Sequence, residues 1–171
     1  MIANKVQKAI NDQINAELYS AYLYLAMSAY FQSVNLQGFA NWMRVQYQEE
    51  TLHALKFYDY LVERSGRVML QPIAPPPPKW ASPLAVFEES YAHERKVTAL
   101  INKIADLAIA EGDHATVAML QWFVTEQVEE EASAEKIVEE LKRIGDNSGA
   151  LFMLDRELLT RVFTPPPATA A

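Results

Sequence analysis

Four pairs of polar residues, Glu17 and Glu94, Glu49 and Glu126, Glu50 and Gln127, and His53 and Glu130, share one separation of 77 positions. Carboxylates, a carboxamide and an imidazole are the side chains that hold hard and borderline metal ions. A fixed offset is what two copies of a helical hairpin give when both supply ligands to one shared centre. The spacing therefore predicts a metal centre inside a four-helix bundle.

Each set interrupts an apolar stripe of helical period. The first copy reads Ile10, Ile14, Glu17, Ala21, Tyr24, Ser28 and Phe31, then Phe39, Met43, Gln46, Glu50, His53, Phe57 and Tyr60. The second reads Phe87, Tyr91, Glu94, Val97, Ile101, Ala105 and Ala108, then Leu120, Phe123, Gln127, Glu130, Ala134, Ile137 and Leu141. Heights along the helices agree as well. Glu94 stands 18 residues before Gly112, and Gln127 and Glu130 stand 15 and 18 after it. Glu17, Glu50 and His53 stand at the same distances from Asn35. At about 1.5 Å per helical residue, all six lie roughly 23–27 Å from their turn. A polar layer held only by internal hydrogen bonds is the competing reading. It would bury Glu17, Glu50, Glu94 and Glu130 with no Lys or Arg in the stripes, which costs several kcal/mol per charge or forces the groups to hold protons. Two divalent cations would neutralise all four, and this donor set suits iron or manganese.

The elements that position these residues follow from punctuation. Only five glycines and long proline-free stretches favour long helices. The expected helices cover about 3–32, 38–65, 83–111, 114–144 and 148–163, with a disordered tail over 164–171, all in one domain. Gly66 is the expected cap of the second helix, and Ser82-Pro83 and Asp113 open the third and fourth. Pro75 to Pro78 exclude a helix between 66 and 82. That segment reads as a long crossover that lets the second and third helices run parallel. Leu151, Leu154, Leu158 and Val162 form the apolar side of the short fifth helix. Leu18, Tyr22, Leu25 and Ala29 form a second apolar stripe on the first helix and predict a subunit interface.

Composition narrows the function classes. The chain has 171 residues, half of them hydrophobic, and no cysteine. Disulfides, Cys-ligated zinc and iron–sulfur clusters are excluded. A net charge of −7 argues against nucleic acid and agrees with cation handling. No apolar run reaches membrane-spanning length and the first residues are not those of a signal peptide, so a cytoplasmic protein is expected.

With these residues in place the chain resembles a ferritin of the haem-free bacterial and archaeal type, over almost its whole length. The segments that carry the resemblance are Asn15-Ala-Glu17-Leu-Tyr-Ser-Ala-Tyr-Leu-Tyr24, Gly38-Phe-Ala-Asn-Trp42, Glu49-Glu-Thr-Leu-His53, Glu126-Gln-Val-Glu-Glu130 and Leu151-Phe-Met-Leu-Asp155. Ferritin-like bundles are the general illustration of such di-iron sites, so that geometry is a property of the family. The resemblance implies a first iron on Glu17, Glu50 and His53. It implies a second iron on Glu94 and Glu130, with Glu50 bridging and Gln127 close by. A third iron position is implied on Glu49, Glu126, Glu129 and again Glu130. A redox-capable tyrosine is implied at Tyr24. The function implied is storage of iron by a ferroxidase, which oxidises Fe(II) with O₂ or peroxide and keeps the ferric mineral in a shell of twenty-four subunits.

The departures carry information. In a symmetric di-iron protein, Gln127-x-x-Glu130 would read Glu-x-x-His, so the two irons are expected to be held unequally. Bacterioferritin-like chains carry a haem-ligating Met directly after the bridging Glu; Thr51 stands there, and no haem is expected. Rubrerythrin-like proteins need a Cys-rich domain that a cysteine-free chain cannot form. His93 is turned about 100° from Glu94 and is not expected as a ligand. His114 is expected to be exposed, Trp122 to be packing, and Glu131 to be part of a solvated charge run. Two other classes stay open. They are a di-iron oxygenase acting on an organic substrate, and a structural bundle with no metal.

Overall fold

The computed structural model describes residues 2–165. It contains five helices: α1 Asn4–Ser33, α2 Gln37–Glu63, α3 Pro83–Ala110, α4 His114–Ile144 and α5 Ser148–Leu158. Of the tail expected over 164–171, residues 166–171 lie outside the described residues. Among the described residues no helix is long and apolar enough to cross a membrane.

Local chemistry sets the helix ends. Ser82 Oγ accepts from the Ala85 amide at 3.1 Å with Pro83 at the first helical position, and Asp113 Oδ1 accepts from the Thr116 amide at 3.1 Å. Asp113 is itself gripped by Arg64 through two bonds of 2.9 and 3.2 Å, which ties the end of α2 to the start of α4. The first three helices end alike. A left-handed residue is followed by an amide that donates back to a carbonyl five residues earlier. These closures are Leu36 to Phe31 at 3.0 Å, Gly66 to Leu61 at 2.8 Å and Asp113 to Ala108 at 2.8 Å. The left-handed residue after α2 is Ser65, with φ 55°, and not Gly66. Gly66 is needed for a different reason. A Cβ there would lie 2.4 Å from a Leu61 methyl.

The crossover runs the length of α1. Arg67 N–H donates to Gln7 Oε1 at 3.0 Å, Met69 N–H to Asn11 Oδ1 at 2.6 Å, and Gln71 Nε2 to Asp12 Oδ1 at 2.9 Å. At the other end of α1, the Trp80 ring packs on Tyr30 at 5.5 Å. A segment that leaves the end of α2 and returns to the far end of α1 delivers α3 to the place where α2 began. There Phe87 packs on Phe39 and Trp42, at 5.8 and 5.0 Å. Helices α2 and α3 therefore run parallel, and α1/α2 and α3/α4 are two antiparallel hairpins.

The core is split in two. One apolar cluster holds Phe31, Phe39, Trp42, Met43 and Phe87, the other Ile10, Ile14, Phe57, Ile101 and Phe123. The polar layer lies between them. On α3 the buried stripe includes Ser90 and Ile104, whereas Tyr91 and Ala105 of the expected stripe are only partly covered. The second stripe of α1 is only partly covered within the chain, with Tyr22 and Ala29 exposed, Leu25 half-buried and Leu18 packed at the edge of the second core cluster.

The fifth helix ends at Leu158 rather than at 163, and Val162 is exposed. Its end is held by α2. Asn41 Nδ2 donates to the carbonyls of Leu158, Leu159 and Arg161 at 3.2, 3.3 and 2.9 Å, which gives the carbonyls past the last turn of α5 a side-chain partner. Asp155 completes the docking. Its Oδ1 accepts from the Gly38 and Phe39 amides at 2.8 and 3.1 Å, placing a carboxylate at the positive end of α2. The approach requires glycine, because a Cβ on residue 38 would lie 1.6 Å from the Asp155 carbonyl oxygen. Gly38→Ala is therefore expected to push α5 off α2 at a cost of about 1–3 kcal/mol or more. Thermal unfolding and hydrogen exchange over α5 would measure this; unchanged melting and unchanged protection would refute the close contact.

Candidate metal centre

Each helix of the bundle contributes to the polar layer. Glu17 comes from α1, Glu50 and His53 from α2, Glu94 from α3, and Gln127 and Glu130 from α4. All six are buried. Ligand atoms of Glu17, Glu50 and His53 lie within 4.8 Å of one another, as do those of His53, Glu126 and Glu130. His53 thus faces both groups. Its Nδ1 is 3.5 Å from Glu50 Oε2, and its ring is held edge-on by Trp122 at 5.4 Å and Phe123 at 5.9 Å.

The carboxylates are held unequally. Glu17 Oε1 accepts from Gln13 Nε2 at 2.8 Å, while Glu17 Oε2 and Glu50 Oε2 are buried with no hydrogen-bond partner. Glu94 accepts from the Tyr24 hydroxyl, which also lies 3.1 Å from Ser90 Oγ, and from Gln127 Nε2 at 3.2 Å. Glu130 accepts from Gln46 Nε2. The open oxygens thus lie on the side of Glu17, Glu50 and His53. On the α3/α4 side, Gln127 spends its amide on Glu94 and on Thr98 Oγ1, at 3.3 Å.

Electrostatics follows from burial. Desolvation pushes Glu17 up to about 7, opposed by the Gln13 hydrogen bond and reinforced by the charge of Glu94. Burial first, then the neighbouring carboxylates, holds Glu50 and Glu130 well above the usual range, and burial also raises Glu94. Burial pushes His53 down to about 4, so its imidazole is neutral and free to ligate. Tyr24 is raised by burial and by Glu94 and Glu50, and remains a phenol. Among the described residues no Lys or Arg is buried. A layer of neutralised carboxyls with two open oxygens and a neutral imidazole is a site that a divalent cation can enter by replacing protons.

The residues expected at a third position lie to one side. Glu49, Glu126 and Glu129 line a surface pocket of about 410 Å³ together with Trp122, Ser133 and Arg161. Glu129 is exposed and Glu126 half-buried. Trp122 lines this pocket and also packs on His53, and Lys56 Nζ lies 4.2 Å from the centre of its ring. His93 is held outside the centre, with Nε2 2.8 Å from Ser20 Oγ and its ring against Tyr19 and Tyr24. His114 is exposed, and Glu131 accepts from Thr98 Oγ1 at 2.5 Å.

Three supporting residues were not singled out by spacing. Gln13 and Gln46 each lie four positions before an acidic ligand candidate, Glu17 and Glu50, and a glutamine there is a legible signal. Arg161 had none. It lies beyond α5, and only the docking of that helix carries it to Glu49 and Gln46, at 2.6 and 2.8 Å.

Comparison with known proteins gives one answer. A model of the ferritin-like domain matches residues 7–144. A bacterial non-heme ferritin of Bacteroides fragilis is 47% identical over 158 residues, covering 92% of this chain and 98% of that protein. One from Staphylococcus aureus is 37% identical over 163 residues, covering 95% and 98%. Among solved structures, an open-pore ferritin from the archaeon Archaeoglobus fulgidus superposes with a TM-score of 0.94 at 54% identity, covering 95% of this chain and all of that one. A humanized archaeal ferritin superposes at 0.96 with 55% identity, covering 96% and 100%. Five helices in the same order, a buried carboxylate layer at their centre and these likenesses over nearly the full length place the chain in one family: it belongs to the ferritins.

Proposed function

We propose that this chain takes up Fe(II) at the carboxylate–imidazole layer, oxidises it there and passes Fe(III) to a mineral store. As a non-heme ferritin it is an iron-storage protein with ferroxidase activity, and the residues proposed for each step are its own. The observation that carries the reading is the pair of unpartnered buried oxygens, Glu17 Oε2 and Glu50 Oε2, beside a neutral His53. Left in that state they are costly; a cation that displaces the carboxyl protons removes the cost.

Iron is the substrate. One Fe(II) is held by Glu17, Glu50 and His53. A second is held by Glu94 and Glu130, with Glu50 shared and Gln127 beside it. Two Fe(II) held together can deliver two electrons to one O₂ or peroxide. Fe(III) is the stronger acid and hydrolyses, so the product leaves for the mineral. The protein's contribution is position and charge: carboxylates that stabilise Fe(III) over Fe(II), and a Tyr24 hydroxyl that fixes one Glu94 oxygen. Glu49, Glu126, Glu129 and Glu130 hold a third ion. The assembly is a shell of twenty-four subunits in the cytoplasm, closed in part by the partly uncovered stripe of α1.

Phe57 and Phe123, stacked at 4.0 Å, close the core on the His53 side of the layer, and the oxygenase reading has only the cavity of about 370 Å³ beside Gln127 to draw on. Size-exclusion chromatography with iron loading tests the reading. A very large particle that accumulates iron far beyond three ions per subunit is expected; a dominant species of one, two or four subunits would sink it. In the same preparation, anaerobic Fe(II) titration is expected to resolve a tighter first and a weaker second equivalent. Gln127→Glu should bring the two closer, because it adds a charge where only an amide now stands.

A further inference from the structure

Arg161 is the positive charge bonded directly to the outer carboxylates, with Lys56 held farther off on the Trp122 ring, and it is bound from three directions. Its Nη2 donates to Glu49 Oε2 at 2.6 Å and its Nη1 to Gln46 Oε1 at 2.8 Å. Its guanidinium carbon lies 4.3 Å from the centre of the Trp42 ring, and Nη1 also reaches the Trp42 carbonyl at 3.3 Å. Its own carbonyl is pinned by Asn41 at 2.9 Å. Gln46, held by one end, donates with the other to Glu130. An unbroken chain of contacts therefore runs from Glu49, through Arg161 and Gln46, to Glu130, and Arg161 shares the pocket with Glu126 and Glu129.

A metal ion on Glu49 would share a carboxylate whose Oε2 the guanidinium already occupies, and the two cations would repel each other across that short distance. We propose that Arg161 is a resident counter-cation of the outer carboxylate cluster, which an entering third Fe(II) must displace, and that this displacement releases Gln46 and with it Glu130. The inference rests on the reading of the layer as an iron centre. The outer position is then filled after the inner two and more weakly, and its filling is linked to a Glu130 carboxylate that the second inner ion also uses. Because Arg161 belongs to the segment docked by Asn41, third-site occupancy is linked to the order of residues 159–165.

Anaerobic Fe(II) calorimetry on the assembled protein separates the possibilities, since the first two equivalents report on the inner centre and the third on Arg161. Arg161→Gln keeps a polar side chain without charge and is expected to tighten the third equivalent roughly tenfold or more, with the first equivalent unchanged. Arg161→Lys keeps the charge and is expected to leave the third near the wild-type value. In the wild type, hydrogen exchange over 159–165 should rise when the third equivalent binds and not before. A third equivalent that is unchanged or weaker in Arg161→Gln overturns the proposal. So does a lysine variant that behaves like the glutamine one, because packing rather than charge would then be responsible. Absence of the first two equivalents would instead refute the iron centre itself.

Discussion

Glu130→Ala is expected to slow the first, fast phase of Fe(II) oxidation by roughly tenfold or more, while Glu129→Ala leaves that phase nearly intact. The two residues are neighbours on α4 with opposite surroundings. Glu130 is buried, bonded to Gln46 and within 4.8 Å of His53 and Glu126, whereas Glu129 is exposed at the pocket rim. The side where Glu130 is proposed to ligate already has a neutral amide at Gln127, so losing its carboxylate removes much of the remaining negative charge there. Even outer-shell partners of metal sites commonly cost about 10–100-fold when removed, and a ligand should cost no less. Glu129→Ala, and likewise Glu126→Ala, should change the iron bound or the oxygen consumed per subunit. Stopped-flow absorbance of the ferric product, combined with an oxygen electrode, compares the variants. If Glu129→Ala slows the initial phase as much as Glu130→Ala does, Glu130 is not the shared ligand.

The second large effect is on the metal-free protein, whose stability is expected to fall as pH rises through about 7. Burial raises Glu17 to about 7 and holds Glu50, Glu94 and Glu130 above the usual carboxylate range. A carboxyl with a raised folded-state pKa stabilises fully below its unfolded value near 4.5. That stabilisation is lost as pH rises through the folded value, because the folded state must then ionise groups in a dry layer. His53 acts in the opposite sense. Its pKa is depressed from 6.5 to about 4, so its contribution grows as pH rises between those values and is constant above them. Between about pH 6.5 and 8 only the carboxyl effect operates. Zn(II), a redox-inert stand-in for the substrate, replaces the protons and should flatten the decline. Scanning calorimetry of chelated and Zn(II)-loaded protein across that window reads the difference. In weakly buffered solution at pH 6.5 the same binding should release protons. A chelated protein whose melting point does not change across the window would mean that the layer is already ionised and solvated.

The buried polar layer was legible because two independent regularities meet there. The offset of 77 residues marks Glu17, Glu50, His53, Glu94, Gln127 and Glu130, and helical period places each within a buried stripe. Helix type, the turns and the crossover were legible for the same local reasons, namely stripe period, capping side chains and consecutive prolines. Small rotations were not. On α3 the period allows either Tyr91 or Ser90 to face the core, and Ser90 does so because the Tyr24 hydroxyl meets it in the layer. The left-handed residue after α2 likewise fell on Ser65, one position before the expected Gly66, whose amide closes the turn onto the Leu61 carbonyl.

What the sequence by itself determined, then, is the bundle and the residues at its centre, because both are written in periodic patterns that act within one helix or hairpin. The tertiary structure alone decided how each side chain of the layer is occupied and what lies outside the pattern. The Gln127 amide is spent on Glu94, two carboxylate oxygens on the Glu17–Glu50 side stay open, and α5 stops at Leu158. Arg161 reaches Glu49 and Gln46 across more than a hundred residues of chain. No period relates Arg161 to its partners. The fit of Asp155 over Gly38, where any side chain would collide, and the Asn41 bonds bring them together.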